Sequence, residues 1–147
     1  MKKILTLTAI VIVLGLARCG NNETYTRDLR QLPKNAQEMI HQNFRSAVTL
    51  VETEKEGLEG KEFEVTLANG SEITFNGKGE WKNIETPNNL AVPSALIPPT
   101  IAEFVKSHHA GASIVGIEII KKGYEVELSN GVEIQFNKDG GFIQYDK

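Results

Sequence analysis

Apolar and polar residues alternate along two pairs of neighbouring stretches, and this period of two predicts β-strands that bury one face. In the first stretch Phe63, Val65 and Leu67 alternate with glutamate and threonine. The same alternation returns 61 positions later, where Leu128 takes the place of Leu67. The other apolar positions of the four stretches are Ile73, Phe75, Tyr124, Val126, Val132, Ile134 and Phe136. The pattern predicts an antiparallel sheet that is covered on one side only.

A short amphipathic segment precedes each pair of strands. Apolar residues at i, i+3, i+4 and i+8 lie on one face of a helix. The residues with this spacing are Ala36, Met39, Ile40 and Phe44 in the first segment, and Ile101, Phe104, Val105 and His109 in the second. Pro33 and Pro98 suit the first turn of each helix, where a missing N–H costs nothing. Such short helices are marginal alone, so we expect each to pack on a sheet.

The Asn-Gly turn of the first hairpin is predicted to contain three residues. A two-residue turn would place Leu67 opposite Glu72, which sets a core residue against a solvent residue. A loop of residues 68–70 places Leu67 opposite Ser71 instead, and the glycine then needs a positive φ. The same argument applies to four turns and predicts positive φ at Gly70, Gly79, Gly131 and Gly140.

The recurrence predicts an α+β fold of two tandem repeats. The first covers residues 31–85 and the second residues 96–147, and a proline-containing linker at 86–95 joins them. Each repeat is expected to be a short helix packed on a four-stranded antiparallel sheet. The sequence leaves open whether the two sheets are separate or form one continuous sheet.

The first 18 residues have the pattern of a secretory signal peptide. Lys2 and Lys3 precede a mostly apolar run from Ile4 to Leu16, which is too short for a comfortable membrane span. Residues 19–30 are polar and are expected to form a flexible tether. The chain is therefore expected to be exported.

Cys19, the sole cysteine, directly follows the apolar run in "LARCG". This stretch resembles a bacterial lipoprotein box, in which the cysteine is lipidated and begins the mature chain. Arg18 departs from the box, which normally has a small residue there. Two alternatives stay open: cleavage by the ordinary signal peptidase after Ala17, or a retained, uncleaved anchor. We expect a lipid-anchored protein of the periplasm or outer membrane, and a secreted one otherwise.

The charge of the chain argues against nucleic acid as a partner. A chain that begins at Cys19 loses three cations, so Lys plus Arg falls from 16 to 13 while Asp plus Glu stays at 19, a formal charge of −6. Nucleic-acid binding needs a basic footprint. No cofactor motif is present either, since the glycine pairs lack the strand–loop–helix context and the Lys-Ser/Thr pair of a phosphate loop.

Two copies of "(F/Y)EV.L.NG.EI.FN..G.(W/F)" behind a lipoprotein-type signal resemble the PepSY-like family, which is also described as β-lactamase-inhibitor-like. The resemblance covers about residues 32–145, and "YEVELSNGVEIQFNKDG" is its most specific part. It implies repeats of a helix against a four-stranded antiparallel sheet. In the β-lactamase inhibitor the two sheets combine into a concave binding surface. No catalytic motif carries over from the family.

The candidate chemical residues favour structure over catalysis. Adjacent His108 and His109 point about 100° apart on a helix and cannot easily share one metal ion, so we expect no metal site there. Trp81 and Phe142 follow turns and are expected on the helix side, and an exposed binding anchor is the alternative for Trp81.

The polar face of the alternating strands is the candidate binding face. A solvated sheet face is the simpler interpretation, and a face for a cationic partner or for cations is the alternative. Its residues are Glu64, Thr66, Glu72, Thr74, Glu125, Glu127, Glu133 and Gln135. We expect a non-enzymatic binding or inhibitor-like module for an unidentified protein or peptide. The other hypothesis is a structural or sensory accessory protein of the cell envelope without inhibitory activity.

Overall fold

The computed structural model describes residues 23–56 and 60–146, with the backbone alone at residues 55 and 56. The predicted signal peptide at 1–18 and the predicted lipidation site Cys19 lie outside these residues. The described strands are β1 (Thr24–Thr26), β2 (Val48–Glu56), β3 (Gly60–Leu67), β4 (Glu72–Asn76), β5 (Trp81–Glu85), β6 (Ile114–Ile120), β7 (Gly123–Leu128), β8 (Glu133–Asn137) and β9 (Phe142–Asp146). The described α-helices are α1 (Lys34–Asn43) and α2 (Pro99–His108). Among these residues, no helix has the length and apolar character to cross a membrane.

The strands form a single nine-stranded sheet in chain order, and every neighbouring pair is antiparallel. The question left open by the sequence is decided at the junction of β5 and β6. There Ile84 pairs with Ile117, with Asn83 opposite Glu118 and Glu85 opposite Gly116. The α+β class is confirmed, and the sheet is continuous.

One apolar core lies between the helices and one face of this sheet. A row of directly paired side chains crosses six strands, and each member is at most 1% exposed: Val65, Ile73, Ile84, Ile117, Val126 and Ile134. Ala36 and Ile40 of α1, and Ile101 and Val105 of α2, are buried in the same core. The two halves of the chain therefore share one core across the β5–β6 junction.

The hairpin registers agree with the three-residue turns. Val65 pairs with Ile73 and Phe75 with Trp81, while the second half pairs Val126 with Ile134 and Phe136 with Phe142. The φ angles are +86° at Gly70, +78° at Gly79, +80° at Gly131 and +78° at Gly140. The predicted three-residue turns are thus confirmed, and a two-residue turn is excluded at these sites.

The start of the chain differs from the flexible tether that was expected at residues 19–30. Thr24–Thr26 forms β1, which pairs with β2, and Leu29–Gln31 forms a 3-10 helix capped by the Asp28 side chain. The expectation rested on polar composition, but strand pairing at a sheet edge uses main-chain groups and needs no apolar residue. Within the described part of the chain, the tether prediction is therefore wrong from Thr24 onward.

Gly79→Ala should destabilise the protein far more than Gly131→Ala, although both glycines have positive φ. A Cβ at Gly79 would lie 2.7 Å from Cβ of Pro33 and would collide with the Asn35 side chain, whereas a Cβ at Gly131 meets nothing within 4 Å. Positive φ alone costs a non-glycine residue about 1 kcal/mol, and the collision raises the loss at Gly79 to about 3 kcal/mol. Urea unfolding measures the free energy of unfolding of both variants. Equal destabilisation of the two would contradict the tight approach of α1 to this turn.

Candidate binding face

The sheet surface opposite the helices, named here the open face, carries two rows of directly paired side chains. The first row contains Thr66, Glu72, Glu85, Gly116, Glu127, Glu133 and Asp146. The second contains Glu52, Glu64, Thr74, Asn83, Glu118, Glu125, Gln135 and Gln144. Their side chains are exposed or half-buried, apart from Gly116, which has none. The open face is thus a broad, largely acidic surface.

Several carboxylates of the open face lie directly opposite each other on neighbouring strands. Like charges at directly opposite sheet positions destabilise the pairing. These pairs are Glu52–Glu64, Glu72–Glu85, Glu118–Glu125, Glu127–Glu133 and Glu133–Asp146. An arrangement that works against the stability of the sheet is expected mainly where a surface has a function.

The environment of the open face raises the pKa of four of its glutamates. Partial burial, followed by the charges of Glu72 and Glu52, raises the pKa of Glu64. Partial burial also raises the pKa of Glu72, with a further contribution from Glu85. The same cause, with neighbouring carboxylates second, raises the pKa of Glu118 and of Glu127. The negative charge on this face is therefore held at a free-energy cost.

A lysine and several amides contact the carboxylates of this sheet. The Lys82 ammonium lies 2.6 Å from the Glu62 carboxylate at the bulge between β4 and β5. Elsewhere neutral amides contact the carboxylates: Gln135 donates to Glu125 over 3.0 Å, and Asn83 donates to Glu85 over 2.8 Å. A basic partner would therefore meet carboxylates that contact neutral amides, beside one that is paired with Lys82.

The structure brings all eight residues of the predicted binding face onto the open face, within the two paired rows. The sequence prediction omitted four acids of the open face: Glu52, Asp146, Glu85 and Glu118. Glu85 and Glu118 lie between the two predicted groups. Only the pairing of β5 with β6 places them there, although Glu118 interrupts an otherwise apolar strand between Ile117 and Ile119. That interruption is the one sequence signal that could have identified it.

Three carboxylates at the β9 side of the open face converge. One oxygen each of Glu125, Glu133 and Asp146 lies within 4.8 Å of the others. Hard cations such as Ca²⁺ prefer oxygen ligands of this kind. Exposed acidic groups are commonly close together without an ion, so proximity alone assigns no metal here.

The two adjacent histidines lie on the helix side, away from these carboxylates. The His108 ring stacks on Phe104 with centroids 4.2 Å apart. The His109 Nε2 lies 3.1 Å from the Tyr145 hydroxyl, at the rim of the core. Trp81 is half-buried and packs on the core, and Phe142 stacks on Phe104 while remaining 42% exposed. These side chains contribute to packing on the helix side.

Two shallow clefts of about 350 and 440 Å³ flank the segment of residues 86–95 and share Ala91. Neither is lined by an aspartate or glutamate of the described chain. A carboxylate serves as a general acid or base where a pocket tunes its pKa. The open-face glutamates therefore present a surface rather than an enclosed reaction site.

Bacterial relatives of the same shape are found among the solved structures. A "putative periplasmic protein of unknown function" from Bacteroides vulgatus ATCC 8482 is 39% identical, with a TM-score of 0.80 over 85% of this chain and 99% of that one. A "putative calcium-regulated periplasmic protein" from Bacteroides thetaiotaomicron is 34% identical, with a TM-score of 0.78 over 85% and 97%. A "putative periplasmic protein from DUF2874 family" of Bacteroides vulgatus ATCC 8482 is 31% identical, with a TM-score of 0.78 over 86% and 98%.

No curated protein matches the sequence significantly. A family model does match, over residues 61–144, and its description is "Putative beta-lactamase-inhibitor-like, PepSY-like". This span runs from β3 into β9 and includes most of both open-face rows. The family and the identity to the solved periplasmic proteins agree with the predicted resemblance. The chain belongs to the PepSY-like family.

Proposed function

We propose that this protein is an exported, non-enzymatic binding or inhibitor-like module of the bacterial cell envelope. Its open face takes a cationic protein or peptide. The observation that carries the proposal is the set of directly opposed carboxylates, which spans both halves of one continuous sheet. The periplasmic descriptions of the three relatives support an exported location for this chain too.

A cationic partner gains from this surface in two ways. Complementary charge steers association and aligns the partner, mainly through the association rate. Binding also relieves the repulsion between opposed glutamates, so part of the cost held in the free sheet is released in the complex. An acidic protein of formal charge −6 after processing repels acidic competitors.

A fluorescent ten-residue lysine peptide tests the proposal directly. We expect binding at 20 mM salt that weakens at least tenfold at 300 mM salt, because the interaction is between exposed charges. A ten-residue glutamate peptide is the control and should not bind. Absence of lysine-peptide binding at low salt, or binding that salt does not change, would contradict the proposal.

Lipid attachment at Cys19 is the anchoring part of the proposal. It rests on a sole cysteine directly after the apolar run. Metabolic labelling with a fatty-acid analogue should label the wild-type protein and leave Cys19→Ser unlabelled. Arg18→Ser should speed processing because it restores a small residue before the cysteine. Equal labelling of wild type and Cys19→Ser would refute the anchor.

We further propose that the chain is a tandem duplication, with repeats at 31–85 and 96–147 and a linker at 86–95. Matching contacts between each helix and a turn support it. The Asn35 amide donates to the Lys78 carbonyl over 2.9 Å, and the Thr100 hydroxyl donates to the Asp139 carbonyl over 3.2 Å, 65 and 61 positions further along the chain. Duplication explains how acidic strands from both halves came to share one face.

Calcium regulation is a second candidate, favoured by the convergence of Glu125, Glu133 and Asp146 and by the description of one relative as calcium-regulated. In this function the protein is a sensory envelope accessory without inhibitory activity. Calcium should then raise Tm at millimolar concentration in the wild type and not in Glu133→Gln. Equal shifts in both proteins would remove this candidate.

A further inference from the structure

The last strand of the sheet has a free edge. β9 pairs with β8 on one side, and no strand of the described chain pairs with its other side. An edge strand presents main-chain N–H and C=O groups that can pair with another extended chain. The opposite edge offers fewer main-chain groups for pairing, since β1 has only three residues.

The helix side of this edge carries exposed aromatic rings. Phe104, His109, Phe142 and Tyr145 form an aromatic platform with neighbouring centroids 5.0 to 5.6 Å apart. Phe142 is 42% and Tyr145 45% exposed, so both rings are available to a neighbouring strand. Exposed aromatic rings that are already held in place bind apolar side chains at low entropic cost.

The open-face side of the same edge is acidic. Asp146 lies opposite Glu133, and Gln144 lies opposite Gln135, which donates to Glu125. From Gln144 to Asp146 the side chains alternate between the two faces, so a strand added to β9 would place every second residue beside Gln144 and Asp146, with Glu133 one strand further in, and the others beside the aromatic platform.

We infer that β9 takes an extended segment of the cationic partner as a tenth strand, with alternating basic and apolar residues. The inference rests on the proposed function, because it specifies how the same class of partner is held. Main-chain hydrogen bonds supply affinity in such strand addition, and the alternating side chains supply specificity. A second copy of this chain fits the edge poorly, since it would bring the acidic rows of two negatively charged chains together.

A fluorescent ten-residue peptide of alternating lysine and valine is the probe. Three changes test whether the peptide pairs with β9, each compared with the unmodified peptide on the wild-type protein. They are N-methylation of the peptide at every second residue, glutamate in place of its lysines, and Tyr145→Ala in the protein. We expect N-methylation on the pairing edge to weaken binding at least tenfold, because it removes the donors. Tyr145→Ala should weaken it about tenfold, and the glutamate peptide should not bind.

Glu133→Gln and Glu38→Gln form a matched pair, since Glu133 lies beside β9 and Glu38 is an exposed residue of α1, off the open face. Glu133→Gln should weaken binding of the lysine–valine peptide about threefold, the effect of one exposed ion pair, while Glu38→Gln leaves that binding unchanged. Hydrogen exchange of the β9 amides should slow when the peptide binds.

The outcomes separate this inference from the proposed function. The edge inference is overturned, and the open-face function stands, under two conditions together. The first is that N-methylation of the lysine–valine peptide and Tyr145→Ala of the protein both leave its binding unchanged. The second is that the ten-residue lysine peptide still binds. A self-associated protein whose β9 amides are already protected, and which does not bind the lysine–valine peptide, also overturns the edge inference. Loss of lysine-peptide binding altogether overturns the proposed function.

Discussion

Replacing four open-face glutamates with glutamine should weaken binding of the ten-residue lysine peptide at least tenfold and raise the stability of the protein. The substituted residues are Glu64, Glu72, Glu118 and Glu127, whose pKa is raised. Binding falls because the surface loses its complementary charge. The free energy of unfolding rises by about 2 kcal/mol in total, or about 8 °C in Tm, because opposed like charges disappear. Peptide anisotropy and thermal unfolding measure the two effects.

The control removes the same number of charges elsewhere. Glu38, Glu80, Glu103 and Asp139 are exposed residues of the helices and turns, and their neutralisation changes the net charge equally. This control should retain lysine-peptide binding within about threefold, because exposed charges distant from the site act weakly. Equal loss of binding in both variants would mean that net charge alone attracts the peptide, and that the open face has no special role.

The same four residues give the wild-type protein a pH dependence of known sign. A carboxyl group whose pKa is higher in the folded than in the unfolded chain binds more protons when folded. Its contribution to stability is greatest below the unfolded value of about 4.5 and is lost as pH rises through the folded pKa. The four-glutamine variant should therefore lose much of the destabilisation that the wild type shows between pH 4.5 and neutral pH.

Ile84→Ala should lower the free energy of unfolding by about 3 kcal/mol. Both halves of the chain should then unfold in a single, equally destabilised transition. Ile84 is fully buried and pairs with Ile73 and Ile117 at the junction of the halves. Truncation leaves a cavity in a core that cannot fully collapse around it. Trp81 fluorescence reports the first half, and hydrogen exchange of β8 reports the second.

Ile119→Ala is the matched control, since Ile119 lies on β6 beyond the junction and is 44% exposed. It should change stability by less than about 1 kcal/mol. If Ile84→Ala unfolds the first half while β8 keeps its wild-type protection, the halves are independent and the shared core is not cooperative.

The sequence predicted those parts of the fold that depend on local pattern. Alternation around Val65 and Val126 established which strand faces are apolar, and matching those faces required the three-residue turns that end at Gly70 and Gly131. Both helices follow from their spacing and their leading prolines. These features rest on residues close together in the chain, so a single sequence contains them.

The missed features depend on partners distant in the chain. Thr24–Thr26 has no apolar pattern, and its strand exists because β2 offers main-chain groups to pair with. Glu85 and Glu118 join the open face only through the β5–β6 junction, which no turn dictates. The aromatic platform needs α2 and β9 side by side, as the 5.0 Å separation of Phe104 and Phe142 shows.

Carboxylate chemical shifts of isotope-labelled glutamate, followed during titration with the lysine peptide, show whether the open face is the surface that binds. We expect the largest shifts at Glu72, Glu118 and Glu127, with Glu38 of α1 and Glu103 of α2 nearly unchanged. Equal shifts across all glutamates, or the largest shifts on the helices, would contradict binding at the open face.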